Sequence, residues 1–276
     1  MLDYGKRTYI MGILNVTPDS FSDGGDFNSV DKALKHAKEM VEEGADMIDI
    51  GGESTRTVYT YVDSEPGHTY VDSEEVDSEE EIRRVVPVIK ALKKEISLPM
   101  SIDTYKADVA EEALKLGVEM VNDVWGLRKD ANMANVISKY DAEVCIMHNQ
   151  DGTEYDKDIM ESIKDFLNES IKMALDAGVK KEKIVLDPGI GFGKTFEQNL
   201  EVLRRLGELR DLGYPILLGT SRKSVIGNVL HLEPKDRVEG TVATTVLGIR
   251  DGVDIVRVHD VTENLRAAKM ADAIYR

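Results

Sequence analysis

The feature that most constrains this chain is an eightfold alternation of two kinds of segment. Short apolar, β-rich runs recur at 7–14, 46–50, 98–102, 118–122, 143–147, 183–187, 214–219 and 253–258. Stretches with a helical pattern stand between them, over 30–43, 79–95, 105–116, 130–139, 158–177, 197–211, 234–250 and 262–274. Several of these stretches are followed by a glycine at the position that ends helices: Gly44, Gly117, Gly178, Gly213 and Gly252. Strand then helix, eight times over, predicts an α/β fold in which a parallel sheet closes into a (β/α)8 TIM barrel. A doubly wound open sheet is the rival, but no glycine-rich dinucleotide loop follows the first strand. The chain has 276 residues, a length that suits one barrel, and no linker divides it. Residues 1–276 are therefore read as a single domain.

Composition narrows the partners. Hydrophobic residues at 42% and charged residues at 32% support a folded core rather than a disordered chain. A net charge of −17 argues against wrapping a nucleic acid, although a local cluster of Lys and Arg could still hold an anionic ligand. With one cysteine, Cys145, there is no internal disulfide and no Cys-rich zinc site, which fits a reducing cytosol. The segment MLDYGKRTYI lacks a signal-peptide pattern, and no apolar run approaches the ~20 residues of a membrane helix. The expectation is a cytoplasmic protein that meets neither membrane nor nucleic acid.

Polar residues collect where the strands stop: Asn15, Gly51-Gly52-Glu53, Asp103, Asn122-Asp123, His148, Asp187, Thr220-Ser221, Arg257 and His259. In a barrel these ends open on one face, where active sites form. Arg257 and His259 share a strand's period of two and so point the same way, as an anion site would require. Asn15, on the strand that neighbours them after closure, offers a neutral oxygen suited to Mg²⁺. Together they suggest a diphosphate with Mg²⁺. Thr220-Ser221-Arg222-Lys223-Ser224 leads from strand seven into a helix start, where Lys223 can donate to a ligand oxygen or ring nitrogen. The run Asp187-Pro188-Gly189-Ile190-Gly191-Phe192-Gly193-Lys194 couples a carboxylate to glycines that admit a flat ligand. A strand-end carboxylate can accept two parallel hydrogen bonds from a guanidine-like edge. With Asp103 and Asn122 nearby, such a pocket suits a pterin or a purine. The long polar segment 15–25 reads as a mobile active-site loop.

The runs MGILNVTPDSFSDGG (11–25), GADMIDIGGESTR (44–56), SIDTYKADVA (101–110), LDPGIGFGKT (186–195), LLGTSRKS (217–224) and VRVHD (256–260) resemble the dihydropteroate synthase family, and the resemblance runs from Arg7 to about Ala273. It implies a (β/α)8 barrel, a homodimer, and a cytosolic enzyme of folate biosynthesis. The activity implied joins p-aminobenzoate to 6-hydroxymethyl-7,8-dihydropterin diphosphate, giving 7,8-dihydropteroate and diphosphate. Position by position, Asn15 matches the Mg²⁺ ligand, and Arg257 and His259 match the diphosphate binders. Asp103, Asn122, Asp187 and Lys223 match the pterin pocket, with Met147 on its wall. Thr55, Phe192 and Ser224 match contacts near the aminobenzoate, with Arg56 beside Thr55, while Phe21 and Asp23 lie in the mobile first loop. Asp103, Lys223, Arg257 and His259 are the expected catalytic groups. A methyltetrahydrofolate-dependent methyltransferase and an inactive pterin-binding paralogue are the alternatives.

One departure is large. The family has Pro-Gly directly after Ser-Thr-Arg, but here Pro66-Gly67 arrives nine residues late. Tyr-Val-Asp-Ser-Glu stands at 61–65 and again at 70–74, and Val-Asp-Ser-Glu-Glu at 71–75 and again at 76–80. Deleting 57–65 and 76–80 leaves STRPGHTYVDSEEEI, the family-like form, and moves the net charge from −17 to −12. These repeats read as two tandem duplications, making 57–80 an expanded active-site loop. An altered loop beside the aminobenzoate site suggests sulfonamide resistance at the expense of a raised KM for p-aminobenzoate. A smaller departure is Gly193, where the family often has Ala.

Overall fold

The computed structural model describes residues 2–16, 26–53 and 76–276. Thus Phe21, Asp23, Thr55, Arg56 and the stretch 57–75 lie outside the described residues. Eight strands stand among the described residues: β1 Tyr9–Asn15, β2 Met47–Gly51, β3 Met100–Asp103, β4 Met120–Asp123, β5 Glu143–Met147, β6 Ile184–Asp187, β7 Leu217–Leu218 and β8 Ile255–Val258. They form one parallel sheet in the order β6-β5-β4-β3-β2-β1-β8-β7. A parallel bridge between Leu186 and Ile216 joins its two ends and closes the barrel. Nine helices stand among the described residues: α1 Asp26–Glu43, α2 Ser78–Glu95, α3 Ala107–Lys115, α4 Met133–Lys139, α5 Ile159–Asp176, α6 Phe196–Arg204, α7 Ser224–Leu230, α8 Val238–Arg250 and α9 Val261–Tyr275.

Two concentric apolar shells follow from the strand's period of two. Outward-facing residues such as Ile48, Ile50, Ile102, Val144 and Leu186 pack under the helices in one large aliphatic cluster. Inward-facing Tyr9, Met11, Met47, Met120, Cys145, Val185, Leu217 and Ile255 form a second cluster inside the barrel, with Leu2 and Tyr4 packed against it. Two residues further along the same inward faces come Asp49, Asn122, Met147, Asp187 and Arg257. The barrel is therefore apolar at its base and charged towards the strand C-termini.

Three details differ from the sequence reading. The helix expected over 197–211 ends at Arg204 and continues as a 3-10 turn over Leu206–Leu212, with Gly207 inside it. The apolar heptad Ser224–Leu230 forms α7, which was not among the eight helical stretches. The helix expected over 79–95 begins one residue earlier, at Ser78, where Asp77 caps it with its side chain accepting from the Glu80 backbone N–H, so the end of the 57–80 stretch is helix.

Candidate active site

The strand register sets the rim of the barrel. Asn15 pairs with Gly51, Gly51 with Asp103, and Asp103 with Asn122, so four strand ends stand in one row. Met147 pairs with Asp187 in the same way. Gly51 stands between its neighbours, where a Cβ would lie in ordinary contact, 3.6 Å from Asn15 Oδ1 and 3.9 Å from Asp103 Oδ2.

Arg257 reaches across this row. Its Nε donates to Asp49 Oδ2 at 2.5 Å and its Nη2 to Asp103 Oδ2 at 2.6 Å. Asp49, wholly buried, also accepts from Ser101 Oγ at 2.5 Å and Asn122 Nδ2 at 3.3 Å. Burial opposes the charge on Arg257, yet the two carboxylates outweigh it and push its pKa up. Burial, reinforced by Asp49 and opposed by Arg257, pushes the Asp103 carboxyl up. Asp103 Oδ1 is buried and has no hydrogen-bond partner among the described residues. A buried acceptor left in this state at a barrel mouth fits a ligand's N–H.

On the opposite side, Asp187 Oδ1 accepts from Gly189 N at 2.7 Å, and burial pushes its pKa up, with Lys223 opposing. Lys223 donates to the Ile190 carbonyl, and its ammonium stands 4.7 Å from the centre of the Phe192 ring. Burial lowers the Lys223 pKa to about 8. Gly191 needs its φ of +85° and its bare Cα, because a Cβ would come within 3.2 Å of Lys223 Cδ. Ser221 Oγ lies 2.9 Å from His259 Nδ1 and accepts from the His259 backbone N–H at 3.1 Å. Ser224 opens α7 directly after Lys223 and is half-buried.

Thus Asn15, Asp103, Asn122, Met147, Asp187, Phe192, Lys223, Ser224, Arg257 and His259 all stand at the strand C-termini or in the segments that follow them. Asp49 and Ser101 were missed. The signal for Asp49 was an acid inside the otherwise apolar strand Met47–Gly51. Cys145 faces the barrel interior, where burial holds its thiol pKa well up, so it is no nucleophile.

This barrel mouth has known counterparts. A profile of the pterin binding enzyme family matches residues 11–259. The chain belongs to the pterin binding enzyme family. Among its relatives, the dihydropteroate synthase of Clostridium beijerinckii is 60% identical over 99% of this chain and 96% of its own length. That of Bacillus subtilis is 51% identical over 99% and 90%. A crystal structure of the Clostridium difficile dihydropteroate synthase in the presence of pteroic acid superposes with a TM-score of 0.92 at 78% identity, covering 100% of both chains. As a pterin-binding barrel, the chain has among its described residues no helix long and apolar enough to cross a membrane.

No group of three or more His, Cys, Asp or Glu side chains among the described residues forms a metal cage. A neutral amide such as Asn15 on the rim instead fits a hard cation held mainly by substrate phosphate oxygens and water, as Mg²⁺ commonly is.

Proposed function

We propose that the barrel mouth is a dihydropteroate synthase centre, a transferase that condenses 6-hydroxymethyl-7,8-dihydropterin diphosphate with p-aminobenzoate. The observation that carries this reading is the pairing of two buried carboxylates at the rim. Asp103, whose buried Oδ1 has no hydrogen-bond partner among the described residues, shares the rim with Asp187, and Lys223 interacts with both. The two carboxylates suit the guanidine-like edge of a pterin, and Lys223 suits a ring nitrogen or carbonyl oxygen.

The substitution is dissociative: the carbon–oxygen bond to diphosphate breaks ahead of attack by the arylamine nitrogen on the pterin methylene, and the amine proton then leaves to solvent. Negative charge grows on the departing oxygen and positive charge on the pterin. Arg257 and His259 bind the diphosphate, and Asp103 and Asp187 stabilise the pterin cation. Asn15 would hold Mg²⁺, which would supply further charge neutralisation for the departing diphosphate. The arylamine is neutral at pH 7, so positioning replaces a strong base. Met147 walls the pterin pocket, and Phe192 and Ser224 line the approach of the aminobenzoate; Thr55 and Arg56 of the second loop keep the aminobenzoate role, and Phe21 and Asp23 the first-loop position, that the family resemblance implies.

The same reading has the enzyme acting in the cytoplasm as a homodimer. Exposed Leu247 on α8 and Met270 and Ile274 on α9 supply an apolar face for the partner copy. It also takes the repeats in 57–80 as tandem duplications that weaken sulfonamide binding more than substrate binding. The test is a condensation assay with and without Mg²⁺. Formation of dihydropteroate supports the reading. Methyl transfer from methyltetrahydrofolate in its place, or tight pterin binding without turnover, would overturn it.

A further inference from the structure

Lys194 has no solvent exposure, although it ends a glycine-rich segment at the barrel mouth. Its Nζ donates to the carbonyl oxygens of Gly189 at 2.9 Å and Phe192 at 3.0 Å, and it lies 3.0 Å from His148 Nδ1. Burial pushes the Lys194 pKa down to about 7, with Asp187 opposing, so the ammonium is the form present below that value; its three N–H donors then face three acceptors when His148 Nδ1 is unprotonated. Burial, together with Lys194, pushes the His148 pKa down to about 2, so the ring is neutral and Nδ1 can accept. The ring is itself held, packing edge-on to Phe166 with centroids 4.8 Å apart and near-parallel to Tyr155 at 6.1 Å.

The segment above Lys194 is tied at every turn. Tyr155 Oη donates to the Gly193 carbonyl at 2.8 Å, and the Gly191 N–H donates to Asn199 Oδ1 at 2.7 Å. Gly189 presses directly on the end of β5, where a Cβ would fall 1.9 Å from the His148 carbonyl oxygen. The segment's outer side holds the pocket groups: the Gly189 N–H on Asp187, and the Ile190 carbonyl and Phe192 ring on Lys223. A buried ammonium is expensive, and a methionine would fill the same volume without that cost. The difference between them is the ability to bind two backbone carbonyls from beneath.

We propose that Lys194, with His148 as its acceptor, is a positioning residue for the pterin. Its ammonium draws the Gly189 and Phe192 carbonyls away from the pocket, and this fixes Asp187, Lys223 and the Phe192 ring in the arrangement the pterin meets. Lys194 touches no ligand. The proposal rests on the reading of Asp187 and Lys223 as pterin-binding groups.

The experiment titrates pterin-6-carboxylic acid into the full chain by calorimetry and measures KM for both substrates. Misplacement of pocket groups by a fraction of an ångström should weaken pterin binding about tenfold or more in Lys194→Met, with KM for the pterin substrate rising alongside and KM for p-aminobenzoate moving less. His148→Asn places Oδ1 where Nδ1 stood and should keep pterin affinity within about threefold, while His148→Leu should behave like Lys194→Met. A folded Lys194→Met protein with unchanged pterin affinity overturns the proposal. Should Lys194→Met fail to fold, the two His148 variants decide: equal losses in both overturn it. Asp187→Asn separates the two layers of argument. Unchanged pterin binding there removes the pocket reading itself; a loss there without one in Lys194→Met removes the positioning role alone.

Discussion

Arg257 and Asp49 are 208 residues apart, yet Nε of the first meets Oδ2 of the second at 2.5 Å inside the barrel mouth. To get there the guanidinium passes from β8 over β1 to β2 and also takes in Asp103 on β3. A planar fork with a fixed set of donors serves this well, since two carboxylates on separate strands fix its plane. Asp49 thereby aims Arg257, although it stands below the rim.

Replacing Asp49 with Asn leaves one amide oxygen to accept from Arg257, turns the position facing Ser101 Oγ into an N–H donor, and removes the charge. The expected outcome is a fall in kcat/KM of roughly tenfold to a hundredfold, the range for one charged hydrogen bond, with the fold intact. Asp49→Ala leaves Arg257 short of a buried partner and should lose about 3–5 kcal/mol of stability. Steady-state kinetics and thermal melts check both. Wild-type kcat/KM in Asp49→Asn would mean the contact orients nothing.

Most of this rim could be read from the chain because strand ends interrupt apolar runs, and Asn15, Asp103, Asn122, Asp187 and Arg257 stand at or beside such interruptions. Asp49 could not be read that way. It lies two residues before the end of β2, flanked by isoleucines, and its partner is brought to it by barrel closure. Lys194 was hidden for another reason: a lysine after a glycine run reads as solvated, and its burial depends on His148 from a different strand end. The break after Arg204 and the short helix α7 were obscured by length, since seven residues carry too little periodicity to mark a helix.

The alkaline side of the pH dependence follows from Lys223. Burial pushes its pKa down to about 8, so below that value the ammonium is present and above it the donor's charge is lost. Because kcat/KM reports the free enzyme, its value for the pterin substrate should fall above about pH 8 as Lys223 loses its charge, and should also fall on the acid side of about pH 7 as Asp103 takes up a proton. Lys223→Arg keeps its charge throughout and should abolish the alkaline fall, whereas Lys194→Met should retain it. A fall of the same midpoint in Lys223→Arg would assign it to another group.

Two further substitutions separate the halves of the substrate. Asp187→Asn should weaken binding of an oxidised pterin by roughly 1–3 kcal/mol, the cost of a lost charged hydrogen bond in a buried site. Arg257→Ala would also strip two buried carboxylates of their cation, so Arg257→Lys is the cleaner change. It should weaken diphosphate binding more than binding of the bare pterin, because lysine cannot reproduce the fork. Calorimetry with each ligand measures the contrast, and equal losses would make Arg257 a structural residue.

The last prediction concerns the repeats. Asp77 caps α2, and Glu80 pairs with Arg84 through Nε at 2.8 Å, so the second copy of Val-Asp-Ser-Glu-Glu does structural work at a helix start. Asp77→Ala should therefore cost about 1 kcal/mol, as the loss of an N-cap does. Deleting 76–80 is a different matter. The preceding Val71-Asp72-Ser73-Glu74-Glu75 has the same sequence, so the product is identical whichever copy is removed, and an aspartate again stands one residue before the helix. The shortened chain should melt within about 0.5 kcal/mol of the parent, as substitutions that spare such features do. Any change in function then belongs to the loop and not to a damaged helix. With 57–65 removed as well, p-aminobenzoate KM and sulfonamide Ki should both fall, Ki by the larger factor, since the drug extends beyond the substrate's outline. Inhibition kinetics on parent and deletion variant give the ratio of Ki to KM directly. An unchanged ratio in a protein of unchanged stability would make the insertion a passive bulge and remove the resistance reading.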